Sequence, residues 1–190
     1  MKLFTIIGLL TVLSSTSVAS GEVRKAPSQH DKQTAQCEAA VFAMPEATTG
    51  SANTFYSTAA PGPLSGSLRS ARDLSTGWHG RTPKPSALAA LKSMLNTSAL
   101  ACASAQAVAV ERGALLSEGD GQRRLKAMGL NGLTAYFHRV SLPALDPQGS
   151  EAVVAVVSSS NQLAGGVRLH FLAKTGSRWE IVGQKVLIVS

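Results

Sequence analysis

The carboxyl-terminal segment 136–190 constrains the fold most strongly, because several apolar, β-branched runs follow one another there with short turns between them. The run 152–157 is apolar at both its odd and its even positions, which predicts a central strand that is covered on both faces. Residues 167–174 alternate between apolar and polar side chains, which predicts a strand with one buried face. Together with the run 136–142, these segments predict an antiparallel sheet.

The strand over 167–174 and the apolar runs that follow it form a predicted hairpin. The turn 174–178 carries Gly176 at a position that favours a positive φ. The apolar runs 179–182 and 186–189 then form the last predicted strand, with a bulge at Gly183 between them.

Helical patterns precede this sheet. We expect one helix from Asp31, as its cap, to Met44, and a second over 87–95 capped by Ser86. The segment 100–110 is ambiguous, because its alanines suit a helix while its alternation suits a strand. We predict a strand from about Ala103, and one helical turn within 122–128.

These elements predict an α+β fold, with amino-terminal helices packed on an antiparallel sheet of about four to five strands built mainly from residues 101–190. We expect a single domain over 31–190. Its segment 46–85 is rich in glycine, proline, serine and threonine, which predicts an irregular region.

The first twenty residues have the pattern of a cleavable signal peptide. Lys2 precedes an apolar run that is too short to span a bilayer, and small residues follow it. We therefore expect a signal peptide over 1–20, cleavage before Gly21 or after Ala19, and a flexible lead over 21–30. The mature chain has no long apolar run, so the sequence predicts an exported protein, periplasmic or secreted, without a transmembrane segment.

Two cysteines, Cys37 and Cys102, follow the predicted leader. In an oxidising compartment an even pair predicts a disulfide, and the alternative is two buried free thiols. A catalytic thiol is disfavoured, because the sequence has no Cys-x-x-Cys motif and no recognisable partner motif.

The run Ala164-Gly-Gly-Val-Arg-Leu-His-Phe-Leu-Ala-Lys-Thr-Gly-Ser-Arg-Trp-Glu-Ile-Val, which closes on 187–190, resembles the carboxyl end of small secreted bacterial domains of unknown function. It is similar, more distantly, to the final hairpin of nuclear-transport-factor-like cone folds. The resemblance implies a curved sheet covered by helices and an exported chain, and it implies no activity. Many such domains carry cysteines before the glycine pair, whereas the corresponding segment 158–163 has none.

The chain is basic, with a formal charge of +7 that falls to +6 when Lys2 leaves with the signal peptide. A positive field favours anionic partners. However, the densest basic group, 122–126, has no interleaved aromatic ring and matches no nucleic-acid reader motif. The pattern therefore favours a solvated surface over a specific nucleic-acid site.

The search for catalytic and metal-binding motifs gives no candidate, so the sequence predicts no catalytic residue, metal site or cofactor. One group of residues is compatible with a pocket: Tyr136 and His138 on one predicted strand, and Arg168 and His170 on another. At strand period they share a face, where they would line a cavity with a titratable pair suited to acid–base chemistry. The alternative is four solvated strand residues.

A second candidate surface lies in the irregular region, where Trp78 and His79 stand beside Arg81. An exposed aromatic ring beside a cation is typical of a protein interface. The alternative is an aromatic side chain that attaches the loop to the core.

Three functions are compatible with these features. The first is a non-catalytic exported module that binds another envelope or secreted protein. The second is a small-molecule binder or enzyme of the cone-fold kind, which uses His138 and His170. The third is electrostatic attachment to an anionic polymer.

Overall fold

The computed structural model describes residues 27–46, 53–62, 74–130, 134–162 and 164–189. Within these ranges the chain forms four α-helices and a mixed sheet of eight strands. The predicted α+β class is therefore confirmed, and the predicted number of strands was too low. The predicted signal peptide, 1–20, and most of the predicted lead, 21–30, lie outside the described residues.

The helices and strands follow one another in this order: α1 (Gln29–Ala43), β1 (Thr54–Ser57), β2 (His79–Gly80), α2 (Pro85–Met94), a 3-10 helix (Ala99–Ala101), α3 (Ala103–Arg112), β3 (Ala114–Leu116), α4 (Glu118–Met128), β4 (Tyr136–Val140), β5 (Ala144–Leu145), β6 (Glu151–Ser160), β7 (Gly165–Thr175) and β8 (Arg178–Val189).

The strands lie in the order β2-β8-β7-β6-β4-β1-β3, and the short β5 also pairs with β6. The four long tail strands pair antiparallel, as the sequence predicts. However, β1 pairs parallel with both β3 and β4, so the expectation of a purely antiparallel sheet was wrong. All four residues of β1 are buried, and a strand this short shows no alternation that would have indicated it.

Strand β6 is buried on both faces, as its apolar run predicts. On one face, Val154 and Val156 belong to a cluster that includes alanines of α1 and α3. On the other face, Val153 packs with Leu88 and Leu91 of α2. Helices therefore contact both faces of the sheet.

The β7–β8 hairpin has the predicted special positions. Gly176 has φ 63°, which a side chain would disfavour. The pairing shifts where Phe171 lies opposite Gly183, at the predicted bulge. A Cβ at Gly183 would come within 2.1 Å of the Arg81 carbonyl oxygen, so glycine permits the close approach of the chain that follows β2.

The predicted caps of the first two helices were wrong. In α1 the cap is Ser28, whose hydroxyl accepts from the Asp31 N–H, while the Asp31 carboxylate accepts from the Ser28 N–H. This reciprocal arrangement is a capping box, so Asp31 lies inside the helix. In α2 the cap is Lys84 and Pro85 is the first helical residue, where its missing N–H costs nothing.

The prediction of a strand from Ala103 was also wrong, because residues 103–112 form α3. Ala105 and Ala109, one helical turn apart, are fully buried, which shows that the alanine content outweighed the alternation. The predicted helical turn within 122–128 is longer than expected. It extends back to Glu118, with Ser117 as the cap.

Cys37 and Cys102 form the predicted disulfide. The bond joins the middle of α1 to the residue that caps α3. It closes a loop of 65 residues, which on the chain-entropy model stabilises the fold by about 4 kcal/mol.

Candidate functional site

A cavity of about 1510 Å³ lies between α1 and the face of the sheet that α1 covers. Residues of α1 and the segment 44–46 line one side, and residues of β4, β6, β7 and β8 line the other. All four residues of the predicted pocket belong to the lining: Tyr136, His138, Arg168 and His170.

Strand register explains why these four side chains share a face. On β6, Ser158 lies opposite His138, and Val156 lies opposite Arg168. His170 follows two residues after Arg168, and side chains on a strand return to the same face at that interval. The cavity floor is therefore built from alternate residues of adjacent strands.

His138 is held by its neighbours and is 7% exposed. Its Nδ1 lies 2.8 Å from the Ser158 hydroxyl oxygen. Its ring stacks on Tyr136, with centroids 6.0 Å apart and planes within 9°. Burial lowers the pKa of His138 to about 4, so the imidazole is neutral at pH 7.

His170 is also neutral at pH 7, because burial and, to a smaller extent, the nearby charge of Arg168 lower its pKa to about 4. Its buried Nδ1 has no hydrogen-bond partner among the described residues. The same is true of Nε1 of Trp179, another cavity residue, which is 5% exposed.

The two histidines are too far apart to act as a pair. Their opposite residues on β6 are Ser158 and Val154, four positions apart. That offset corresponds to roughly 13 Å along the strand, and the strands of the two histidines lie on opposite sides of β6. This separation argues against direct acid–base cooperation between them.

The charged groups around the cavity are mainly cationic. Arg168 and Arg178 are exposed, and neither forms a salt bridge within the described ranges. Arg112 donates a hydrogen bond of 2.7 Å to the carbonyl oxygen of Met44. Because a carbonyl group has no net charge, this bond does not neutralise the guanidinium. Of the two lining carboxylates, Glu38 is paired with Lys174 at 2.8 Å, and the other is Glu46.

Sequence reasoning missed Trp179 and Arg112 as cavity residues. Trp179 is part of the recognised hairpin pattern, and its strand parity places it on the same face as Ile181, which also lines the cavity. Parity could therefore have indicated Trp179. Arg112 follows the segment 100–110, which was predicted as a strand, so its position in the last turn of a helix could not be inferred.

The second predicted surface, Trp78, His79 and Arg81, lies away from this cavity. The indole N–H of Trp78 donates a hydrogen bond of 2.7 Å to the Leu74 carbonyl oxygen, and its ring packs edge-on against Phe171. Arg81 donates a hydrogen bond of 2.8 Å to the Glu151 carboxylate, and its guanidinium lies over the ring of Phe171. His79 is exposed. Trp78 therefore attaches this loop to the sheet, and an interface role for the three residues stays a prediction.

The basic group 122–126 lies on α4, where Arg123 and Arg124 are exposed and Arg123 pairs with Asp120. Among the described residues, no three histidine, cysteine or carboxylate side chains come together as a metal site would require. None of the helices described here is long and apolar enough to cross a membrane.

Comparisons with known proteins give no similar protein: no family model, no curated protein and no solved structure matches this chain. The resemblance of the hairpin to secreted bacterial domains and to cone folds therefore stays a prediction.

Proposed function

We propose that this chain is an exported, non-catalytic binding protein that takes a largely apolar small molecule into the cavity between α1 and the sheet. In this proposal the tail strands form a curved layer and α1 covers its concave face. The disulfide supports the expected oxidising compartment, periplasmic or extracellular.

The observation that carries the proposal is the pair of buried polar atoms, Nε1 of Trp179 and Nδ1 of His170, which have no partner among the described residues. A buried polar group without a hydrogen bond costs about 1–3 kcal/mol. Native proteins leave few such groups, and those that persist call for an explanation. Both side chains line the cavity, and a ligand oxygen would satisfy either atom once its ring turns towards the cavity, because both atoms are covered in the present arrangement.

Binding is favoured over catalysis by the state and position of the histidines. General acid–base catalysis works best when the pKa lies near the working pH, whereas burial lowers the pKa of both His138 and His170 to about 4. They are also too far apart to share a substrate proton. Neutral imidazoles in an apolar wall suit ligand orientation.

The proposal is tested by titrating the protein with N-phenyl-1-naphthylamine, a neutral apolar dye that becomes fluorescent in apolar sites. We expect saturable binding that Val186→Glu weakens about tenfold, since the new carboxylate lies opposite Arg168 and brings a hydrated ion pair into the apolar wall. Val186 lines the cavity and is 47% exposed. The control Val110→Glu changes a valine that is 61% exposed and does not line the cavity.

Absence of saturable binding to the wild-type protein would overturn the proposal. Equal weakening by the two valine variants would also overturn it, because the dye would then be bound outside the cavity.

A second candidate is the binding of another envelope or secreted protein. It is favoured by three exposed apolar side chains at the same cavity: Phe42, Ile181 and Val186. Exposed apolar groups that lie together often mark interaction sites. Under this candidate, Val186→Glu abolishes capture of a saturable partner from the exported fraction and Val110→Glu retains it. Electrostatic attachment to an anionic polymer stays a prediction, and it would require binding that weakens steeply with salt.

A further inference from the structure

The environment of Arg168 points to the kind of ligand. Its cross-strand neighbours are Val156 on β6 and Val186 on β8. Opposite charges at directly opposite positions of two adjacent strands attract and stabilise the pair. Here valines occupy both positions, and no described carboxylate pairs with the guanidinium.

The rest of the cavity does not supply the missing negative charge. Glu38 is already paired with Lys174, and Glu46 is one carboxylate among three lining arginines. Arg112 and Arg178 bring further positive charge to the wall. The field in the cavity therefore favours an anion.

His170 stands beside Arg168 on the same face of β7 and also lines the cavity. A neutral imidazole donates from one of its two ring nitrogens. An anionic group on Arg168 would therefore meet a second hydrogen-bond donor when His170 carries its proton on a ring nitrogen that faces the cavity. Arginine also binds carboxylate and phosphate oxygens through two parallel hydrogen bonds, which fixes their orientation.

Apolar side chains surround this polar point. Val156, Trp179, Ile181 and Val186 all lie on the cavity wall. The cavity volume of about 1510 Å³ exceeds the range of about 300–1,000 Å³ that is usual for drug-sized ligands. The wall therefore has room for an extended apolar body beside the cation.

We propose that the cavity selects an amphipathic anion, whose anionic oxygens bind Arg168 and His170 and whose apolar chain lies on the valines and aromatic rings of the wall. The inference rests on the proposed ligand-binding function and adds the chemical class of the ligand. Carboxylates, sulfates and phosphates share the required head-group chemistry.

The test measures displacement of N-phenyl-1-naphthylamine by dodecanoate, dodecyl sulfate and dodecanol, each below its micellar concentration. We expect the wild-type protein to bind the two anions about tenfold more tightly than the alcohol, since only the anions form charge-assisted hydrogen bonds with the guanidinium. Comparison of dodecanoate with dodecyl sulfate shows which head group is preferred.

Arg168→Gln should remove the preference for the anions and leave dodecanol binding within about twofold of the wild-type value. The control Arg124→Gln alters an exposed arginine of α4 that does not line the cavity, and it should keep the full preference. Unchanged dye binding by Arg168→Gln shows that the variant retains its cavity.

Equal affinity of the wild-type protein for dodecanoate and dodecanol would overturn this inference, as would equal weakening of both by Arg168→Gln. In either case, saturable binding of the neutral dye would leave the proposed function intact. Failure of the dye itself to bind would overturn the proposed function and this inference together.

Discussion

At the scale of single residues, His138 and His170 place two neutral imidazoles in one cavity wall. An ordinary histidine takes up a proton near pH 6.5, whereas burial lowers the pKa of both residues to about 4 in the folded chain. The unfolded chain therefore binds protons more readily between these two values. The resulting stability is complete above pH 6.5 and is lost as the pH falls towards 4.

We expect the free energy of unfolding to decrease between pH 7 and pH 5 by about 2 kcal/mol for each of these histidines. His138→Phe retains the aromatic packing and should remove the contribution of one histidine, which is half of the total decrease. It should also lose some stability at pH 7, because the Ser158 hydroxyl loses its partner. Urea denaturation at several pH values measures the slope. An identical slope in the variant would show that His138 does not titrate as its burial indicates.

At the scale of elements, glycine decides how α4 packs against β4. A Cβ added at Gly121 would lie 2.3 Å from the ring of Phe137, which is well inside contact distance. The same helix also contains Gly119, two residues earlier, which is exposed and whose added Cβ would meet only the end of the Arg123 side chain at 3.4 Å. The two glycines thus provide a matched pair on one helix.

We expect Gly121→Ala to destabilise the protein by about 1–3 kcal/mol, because the added methyl group forces α4 away from Phe137. Gly119→Ala should stabilise it by about 0.5 kcal/mol or leave it unchanged, since alanine favours the helix. Chemical denaturation of both variants gives the comparison. A Gly121→Ala protein as stable as the wild type would contradict the close contact between α4 and β4.

At the scale of the whole molecule, the disulfide joins two helices that pack on the same face of the sheet. Cys102 lies in the same core cluster as the buried alanines of α1, and Cys37 is partly buried against it. Cys37 also lines the cavity. The bond therefore secures the helical layer above the candidate site.

We expect the double variant Cys37→Ala, Cys102→Ala to lose about 4 kcal/mol of unfolding free energy on the chain-entropy model. A reductant should destabilise the wild-type protein by a similar amount and should leave the double variant unaffected. Denaturation with and without reductant measures both effects. Sensitivity of the double variant to reductant would indicate that the effect does not come from this bond.

The sequence-based predictions were accurate where neighbouring residues determine the structure, and inaccurate where the structure depends on residues far apart in the chain. The tail strands and the position of Gly176 were predictable because parity and turn chemistry are local properties. Strand parity also placed Arg168 and His170 on one face. In contrast, β1 and α3 were missed, because a four-residue strand has no readable period and an alanine-rich segment fits two structures equally well. The cavity depends on where α1 lies over the sheet, which no local pattern specifies.

The order of strands in the sheet also has a consequence for how the protein is made. Both hydrogen-bonding neighbours of β1 and the one partner of β2 come later in the sequence than these strands themselves, and the partner of β2 is the last strand, β8. A ribosome releases the amino-terminal half first, and the described part of that half contains none of the partner strands of β1 and β2. Strand β2 therefore waits for β8, so the sheet cannot be completed before the segment 178–189 has been synthesised.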